Sequence, residues 1–582
     1  MMNTAGKQGN DRAVKTESPS EHVQRMEEAA SNRDARYFEV DPLVRAKNLM
    51  SVRAIIDFRN RRVLDARVEK TYFWNLESIL KGRLPADVVP IASRICGWGA
   101  GANAIASAMA LEMAMDVVPP PLAIITRGLG AAAELMASLT RHLFIHSGPD
   151  YSEATISRTN MTIWAKAQES HAESSVFHGY KTVADIMREM NPMSGSLYRE
   201  ALAMTRIACE IATLVFGKYP HPSAVFPGGV GIMPDKEVFN QILGRLNLLI
   251  DYAKKATAVW DDLVNFFYRI DARYHHAGHL PANLIAAGMW DDPFGYDARF
   301  ESCNGWGERR LVTPGVIINR KLWTIRLSEL NARIEEFTNR SFYKQGNDGA
   351  VRADPLGAPL SPLHPWNSHA IPAPGRSHWR DRYSWSTAPR WNRETVEAGP
   401  LARHWITAAG GKLKNEFIRV SSGGGRGTGL EIDLPRFQLP ARRLRWHIPE
   451  RPNALERIRA RAYHIGYCGM VALTYLLRAF DCLERREMAM SKPYSVPEEA
   501  VGVGFWEDGQ GALIHHVVIA RGRIANYQII TPSEWMGSPQ DPFGKPGPYE
   551  QAIINTQLLE EFRKPDDFTA IDLLRTIRSF DP

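Results

Sequence analysis

Two consecutive apolar stretches constrain this chain more than any other feature. From Ala104 to Met115 it reads "AIASAMALEMAM", alanine and methionine with Glu112 as the single acid. That is the composition of a helix buried on all sides, since such a segment has no polar face to offer water. Pro119-Pro120-Pro121 ends it, because proline lacks the amide hydrogen that a helix interior requires. The next stretch, Pro121 to Ile145, is long enough to suggest a membrane span, but Arg127, Glu134, Arg141 and His142 interrupt it. Charges at that density make a buried helix the better reading. A fold that hides both stretches must wrap a large amount of chain around them.

The rest of the sequence can supply that wrapping. "MSVRAIIDFRNRRVLDARV" alternates Val52, Ala54, Ile56 and Phe58, turns at Arg59-Asn60-Arg61-Arg62 and resumes, which predicts a β-hairpin. Lys236 to Ala256 has helical spacing. Asn453 is placed to cap the helix "ALERIRARAYHIGYCGMVALTYLLRAF", whose first turns carry Arg457, Arg459 and Arg461. No aromatic-interleaved basic patch accompanies those arginines, so a solvated or subunit-facing surface is expected rather than nucleic-acid binding. "ALIHHVVIARGRIANYQII" predicts a second hairpin turning at Arg521-Gly522. The tryptophan- and proline-rich segment "PLSPLHPWNSHAIPAPGRSHWRDRYSW" is a long loop of the kind that usually packs or functions. Strands and helices do not alternate regularly, which argues against a doubly wound sheet. The expected class is mainly α with small peripheral β-hairpins (α+β), built round a buried helical bundle. Residues 1–36 read as a polar, disordered leader without the apolar core of a secretory signal, and Tyr37 to Pro582 as one unit. A subunit without a membrane span follows, cytoplasmic by default, with export or membrane association only through a partner.

The formal charge of +7, from 71 basic and 64 acidic residues, is a small excess that hints at acidic partners or an anionic surface, with an ordinary solvated surface the favoured reading. Five cysteines, Cys96, Cys209, Cys303, Cys468 and Cys482, lie far apart with no CxxC pair. That excludes a disulfide framework and a zinc knuckle, and most are expected to be buried apolar residues. "SSGGGRGTG" (Ser421 to Gly429) lacks the lysine of a phosphate loop and reads as a flexible connection. His515 and His516 are neighbours on a predicted strand, so they face opposite sides and cannot clasp one metal. His221 reads as a packing residue.

Several blocks, in order, resemble the large subunit of nickel-iron hydrogenases from about Phe38 to Pro582. They are "LESILKGRLPADVVPIASRICG", "FGKYPHPSAVFPGGV", "RYSWSTAPRWNRETVEAGPLAR", "RPNALERIRARAYHI", "GRIANYQIITPSEW" and the closing "LLRTIRSFDP". The resemblance implies that family's fold and a smaller partner carrying iron-sulfur clusters. It also implies a nickel-iron centre held by four cysteine thiolates, soft anionic donors suited to such metals. Cys96 matches the first thiolate, but Gly99 stands at the second and Asn103 where a histidine is usual. The family's second CxxC, and a histidine that helps hold magnesium, follow "SFDP", where this sequence reaches Asp581-Pro582. The segment carrying a proton-relaying glutamate aligns with Arg45-Ala46-Lys47-Asn48-Leu49, and the arginine segment over the metals with Gly509-Gln510-Gly511. Glu77, Ser533 and Asp581 match positions around the site.

These departures set the expectations. The cleft is expected to be vestigial, outlined by Lys47, Glu77, Cys96, Gly99, Asn103, Gln510, Ser533 and Asp581, with no metal or other cofactor in this chain. Clusters are expected only in an iron-sulfur small-subunit-like partner, with further electron-transfer subunits possible and no nucleic acid bound. The function expected is that of a structural or redox subunit of such a complex, analogous to the quinone-site subunit of respiratory complex I, which shares the fold without nickel. A non-catalytic assembly scaffold for hydrogenase maturation and an active nickel-dependent hydrogenase with an unusual centre are the alternatives. Cys96 as a nucleophile is disfavoured, because its local motif contains no base to generate the thiolate.

Overall fold

A computed structural model describes residues 35–41, 50–347, 349, 351–421 and 428–582. The leader through residue 34, Lys47 with its neighbours, and most of "SSGGGRGTG" lie outside the described residues.

Five long helices form the interior: α1 (Ala100–Ala114), α2 (Pro121–Arg141), α3 (Ser196–Phe216), α4 (Lys236–Ile270) and α5 (Ala454–Glu484). Helix α2 packs against α3 and α5, and α4 against α5. Each begins where its sequence permits. Pro121 opens α2 at a position whose amide needs no partner, Asp235 Oδ1 accepts from Val238 N at 2.9 Å, and Asn453 Oδ1 from Glu456 N at 3.0 Å. Helix α4 runs well past Ala256 because its apolar face continues through Val259, Leu263 and Phe267, all buried. One stretch, Pro121–Thr159, is long and apolar enough to cross a membrane by length and composition, but its most apolar window is wholly buried in the protein. Arg127 in that stretch grips Glu112 of α1 through two hydrogen bonds, at 2.7 and 3.2 Å, so the one acid of the alanine run is paired inside.

The predicted hairpins exist, each with a further strand. β1 (Ala35–Val40), β2 (Met50–Asp57) and β3 (Arg62–Lys70) form one antiparallel sheet, with Val52, Ala54 and Ile56 buried. β4 (Glu499–Glu507), β5 (Ala512–Ala520) and β6 (Arg523–Ile530) form another. This second sheet lies in the interior rather than at the periphery, because α1 rests directly on β4. A Cβ at Gly502 would stand 2.0 Å from the carbonyl oxygen of Ala110, and one at Gly504 1.8 Å from that of Ala106. Only glycine allows the strand to approach the helix backbone this closely. Four further small sheets and a two-residue pair decorate the remainder.

Arg457 and Arg461 of α5 are not on a solvated face, which corrects the expectation, while Arg459 stays partly exposed beside Asp261 and Glu456. Arg457 makes a paired hydrogen bond to Glu397 at 2.8 and 2.9 Å, and Arg461 is buried at the cleft. Helical spacing places residues on a face but does not reveal what that face meets.

Candidate active-site cleft

The cleft lies where the start of α1, the β4–β5 turn and the last residues of the chain converge. Cys96 ends a short turn, Ser93–Ile95, in extended conformation, and is half-buried. Three residues later Gly99 sits just ahead of α1 with φ −118°, a conformation open to any residue. Space is what is missing there. An ideal Cβ at Gly99 would stand 2.8 Å from Asp508 Oδ2, 3.2 Å from Asp508 Cβ and 3.4 Å from its Cγ.

Asn103, one turn into α1, donates from Nδ2 to the Gly99 carbonyl at 2.8 Å, which leaves its Oδ1 facing His515 Nε2 at 3.2 Å. His515 Nε2 therefore carries the proton, and Nδ1 accepts from the Tyr527 hydroxyl at 2.8 Å. Burial pushes the imidazole pKa down to about 3, so the ring is neutral. His516 points the other way, to Asn331 Oδ1 at 2.8 Å, as the strand alternation requires.

Gln510 and Ser533 meet on the opposite side. Gln510 Nε2 donates to the Asp581 carbonyl at 2.7 Å, and Ser533 Oγ donates to Gln510 Oε1 at 3.4 Å. Arg461 binds this end of the chain, donating to the carbonyls of Ser579, Phe580 and Gly509, with the Asp581 carboxylate 3.9 Å away. Burial draws its pKa down to about 10, still cationic at neutrality. Arg403 pairs with Glu507 and donates to the Asp508 carbonyl, both residues of the pair being fully buried. The cleft floor is thus a lattice of buried, mutually paired charges.

Glu77 lies nearby, acting electrostatically on Tyr527, the partner of His515. It lines a cavity of about 40 Å³, room for water, with Lys70, Tyr72, Trp74, Tyr343 and Glu534. Burial, then Glu534, lifts its pKa to about 7, while Lys70 opposes the rise. Glu336, buried and close to Glu534 and Glu77, is pushed to about 8. Of the eight expected residues, Gly99 and Asn103 sit at the start of α1, and Asp508 links Gly99 to Gln510, beside Ser533 and Asp581. Cys96 follows Ile95, which lines the Glu77 cavity, and Lys47 is outside the described residues.

Two important residues escaped sequence reasoning. Glu134, noticed only as an interruption in an apolar run, accepts from the amides of Gly101 and Ala102 at 2.8 and 2.9 Å, where the positive end of α1 points. Burial raises its pKa to about 7, Asp508 adds to the rise, and the two amides and Arg141 oppose it. Asp508 is the other, and no local pattern could have brought it beside Gly99. The remaining cysteines match expectation: Cys303, Cys468 and Cys482 are buried and Cys209 half-buried, and burial raises the pKa of each. His221 Nδ1 lies 2.9 Å from the Ser93 carbonyl, consistent with a packing role.

A family model described as nickel-dependent hydrogenase matches residues 75–175 and 152–582. The Hydrogenase-1 large chain of Escherichia coli (strain K12) is 27% identical, over 95% of this chain and 94% of that one. The uptake hydrogenase large subunit of Azotobacter chroococcum mcd 1 is also 27% identical, over 95% of each. The actinobacterial-type NiFe-hydrogenase of Ralstonia eutropha H16 superposes with a TM-score of 0.91 at 36% identity, over 94% of this chain and 99% of that one. The expectation that no cofactor belongs to this chain is overturned by these matches. Its relatives are nickel and nickel-iron enzymes, and counting thiolates bears on how a centre is held rather than on whether one is. The residues present do not fit a four-thiolate cage: Cys96 is the one sulfur at the internal pair, Gly99 has no side chain, and Asp508 fills its space. Among the described residues no group of three or more His, Cys, Asp or Glu could hold a metal ion. Fold, length and ordered sequence blocks agree, and the chain belongs to the nickel-dependent hydrogenase family as a large-subunit homologue.

Proposed function

We propose that this chain is the large subunit of a heteromeric redox complex with an iron-sulfur small subunit, and that its metal site is degenerate at the internal thiolate pair. The large-subunit reading is carried by agreement with the Ralstonia eutropha enzyme along nearly the whole chain, at a TM-score of 0.91, and the degenerate-site reading by the Asp508 carboxylate packed against Gly99. An assembly scaffold has no comparable observation in its favour.

The surface supports a docked partner. Phe73, Trp74, Ile79 and Leu84 are all exposed and lie within or next to the block that leads to Cys96. Large apolar side chains grouped on a surface mark protein contacts. The partner would cover them and bring its clusters toward the cleft, while any membrane attachment would come through that partner.

The chain's own residues supply proton handling and charge. Glu134 and Glu77, each with a pKa near 7, exchange protons at neutral pH, as redox chemistry that moves protons with electrons requires. His515 stays neutral and fixes Asn103, which in turn holds the Gly99 carbonyl. Arg403 and Arg461 offset the charge of Glu507, Asp508 and Asp581, two cations against three carboxylates.

Co-expression of the tagged chain with its candidate small subunit tests the reading. The expected product is a stoichiometric heteromer whose iron and labile sulfide come with the partner. Recovery of the chain with maturation proteins alone would contradict it.

A further inference from the structure

The β4–β5 turn does more than close a hairpin. Asp508 Oδ1 accepts from the amides of Gln510 at 2.7 Å and Gly511 at 3.1 Å, and its own amide donates to the Gly511 carbonyl at 3.0 Å. Arg403 holds the Asp508 carbonyl from behind. The turn cannot slide away either: Gly509 is pressed against Ser138, where a Cβ would meet Oγ at 2.5 Å, and Gly511 against Ala398. The carboxylate is thus fixed on three sides, and its second oxygen, Oδ2, is the atom that faces Gly99.

We propose that Asp508 takes over the side-chain volume of residue 99, so that this wall of the cleft presents a carboxylate oxygen where a residue-99 side chain would otherwise project. Gly99 and Asp508 are then a matched pair, each fitted to the other. The consequence is specificity. A carboxylate oxygen is a hard donor that suits protons and hard cations, whereas sulfur suits soft metals. The wall beside α1 selects against a soft metal at this place, and placing a thiol at residue 99 is not enough to reverse that. The inference rests on the degenerate-site reading above and specifies the residue responsible for it.

A substitution cycle in the full chain with its partner tests the pairing, read first as melting temperature. Gly99→Ala should lower the midpoint by about 1–3 °C in the wild-type background and by clearly less beside Asp508→Ala, which removes the 2.8 Å contact with Oδ2 and leaves the 3.2 Å contact with Cβ. Asp508→Asn fills the same volume and should not rescue Gly99→Ala. If Asp508→Ala does not fold, Asp508→Ser keeps a hydroxyl for the turn amides and replaces it in the cycle. A Gly99→Ala cost that is equal in both backgrounds, or full rescue by Asp508→Asn, would overturn the pairing. The second readout is uptake of added nickel ion. Gly99→Cys with Asp508→Ala should bind at least about tenfold more tightly than Gly99→Cys alone, a difference near 1.4 kcal/mol. Equal binding by the two would overturn the specificity claim. The melting cycle involves no metal, so its failure is distinguishable from failure of the degenerate-site reading, which turns on the nickel of the unaltered complex.

Discussion

Both ends of the seam between α1 and β4 depend on missing Cβ atoms, but for different purposes. At Gly502 and Gly504 the strand presses against the carbonyls of Ala110 and Ala106, and the contact is backbone packing. At Gly99 the approaching group is the Asp508 carboxylate, in the cleft. The same device builds a core in one place and a charged wall in the other. A glycine marks where something comes close, and only the neighbour says whether that is architecture or chemistry.

The largest expected effect lies on the architectural side. Gly504→Val must force helix and strand apart, since even a Cβ would stand 1.8 Å from the Ala106 carbonyl oxygen, and should exceed the usual overpacking cost of about 1–3 kcal/mol so far that soluble folded protein is lost. If it were tolerated, the seam would not be the rigid reference that the comparison assumes. Arg403→Ala comes next, because it leaves Glu507 buried and unpaired; the expected loss is about 3–5 kcal/mol, and Arg403→Ala with Glu507→Gln should recover part of it.

Glu134 then sharpens the chemical side through pH. Its folded pKa of about 7 lies above the ordinary 4.5, so the folded state holds the proton more tightly than the unfolded chain. Its stabilising contribution is complete below about pH 4.5 and is lost as pH rises through about 7, an effect on the order of 3 kcal/mol. Glu134→Gln should flatten that part of the stability profile; an unchanged slope would remove Glu134 from the proton-handling set. The smallest effect is predicted for Cys96→Ser, within about 0.5 kcal/mol in stability, with the partner's binding and iron content unchanged. A large loss of either would give the thiol a structural role.

Much of the architecture was legible beforehand. The alanine run, the proline-opened helix, the Asn453 cap and both hairpins follow from composition and spacing, because each is a local pattern that survives folding intact. What could not be read was where those elements meet. Arg457 and Arg461 looked like a solvated face because their partners, Glu397 and the chain's last carbonyls, belong to distant segments. The β4–β6 sheet became interior because two glycines let α1 settle on it. At the cleft, Cys96, Asn103 and Gln510 could be picked out, but Asp508 and Glu134 matter through contacts across the fold.

The central claim is that the internal thiolate pair is incomplete and that any metal in the cleft is held by something weaker than four sulfurs. The measurement that tests it most directly is the nickel content of the purified complex before and after prolonged dialysis against a strong chelator, with the partner's iron as internal control. The account predicts that nickel is stripped while the iron stays. Stoichiometric nickel that survives the same treatment would contradict it.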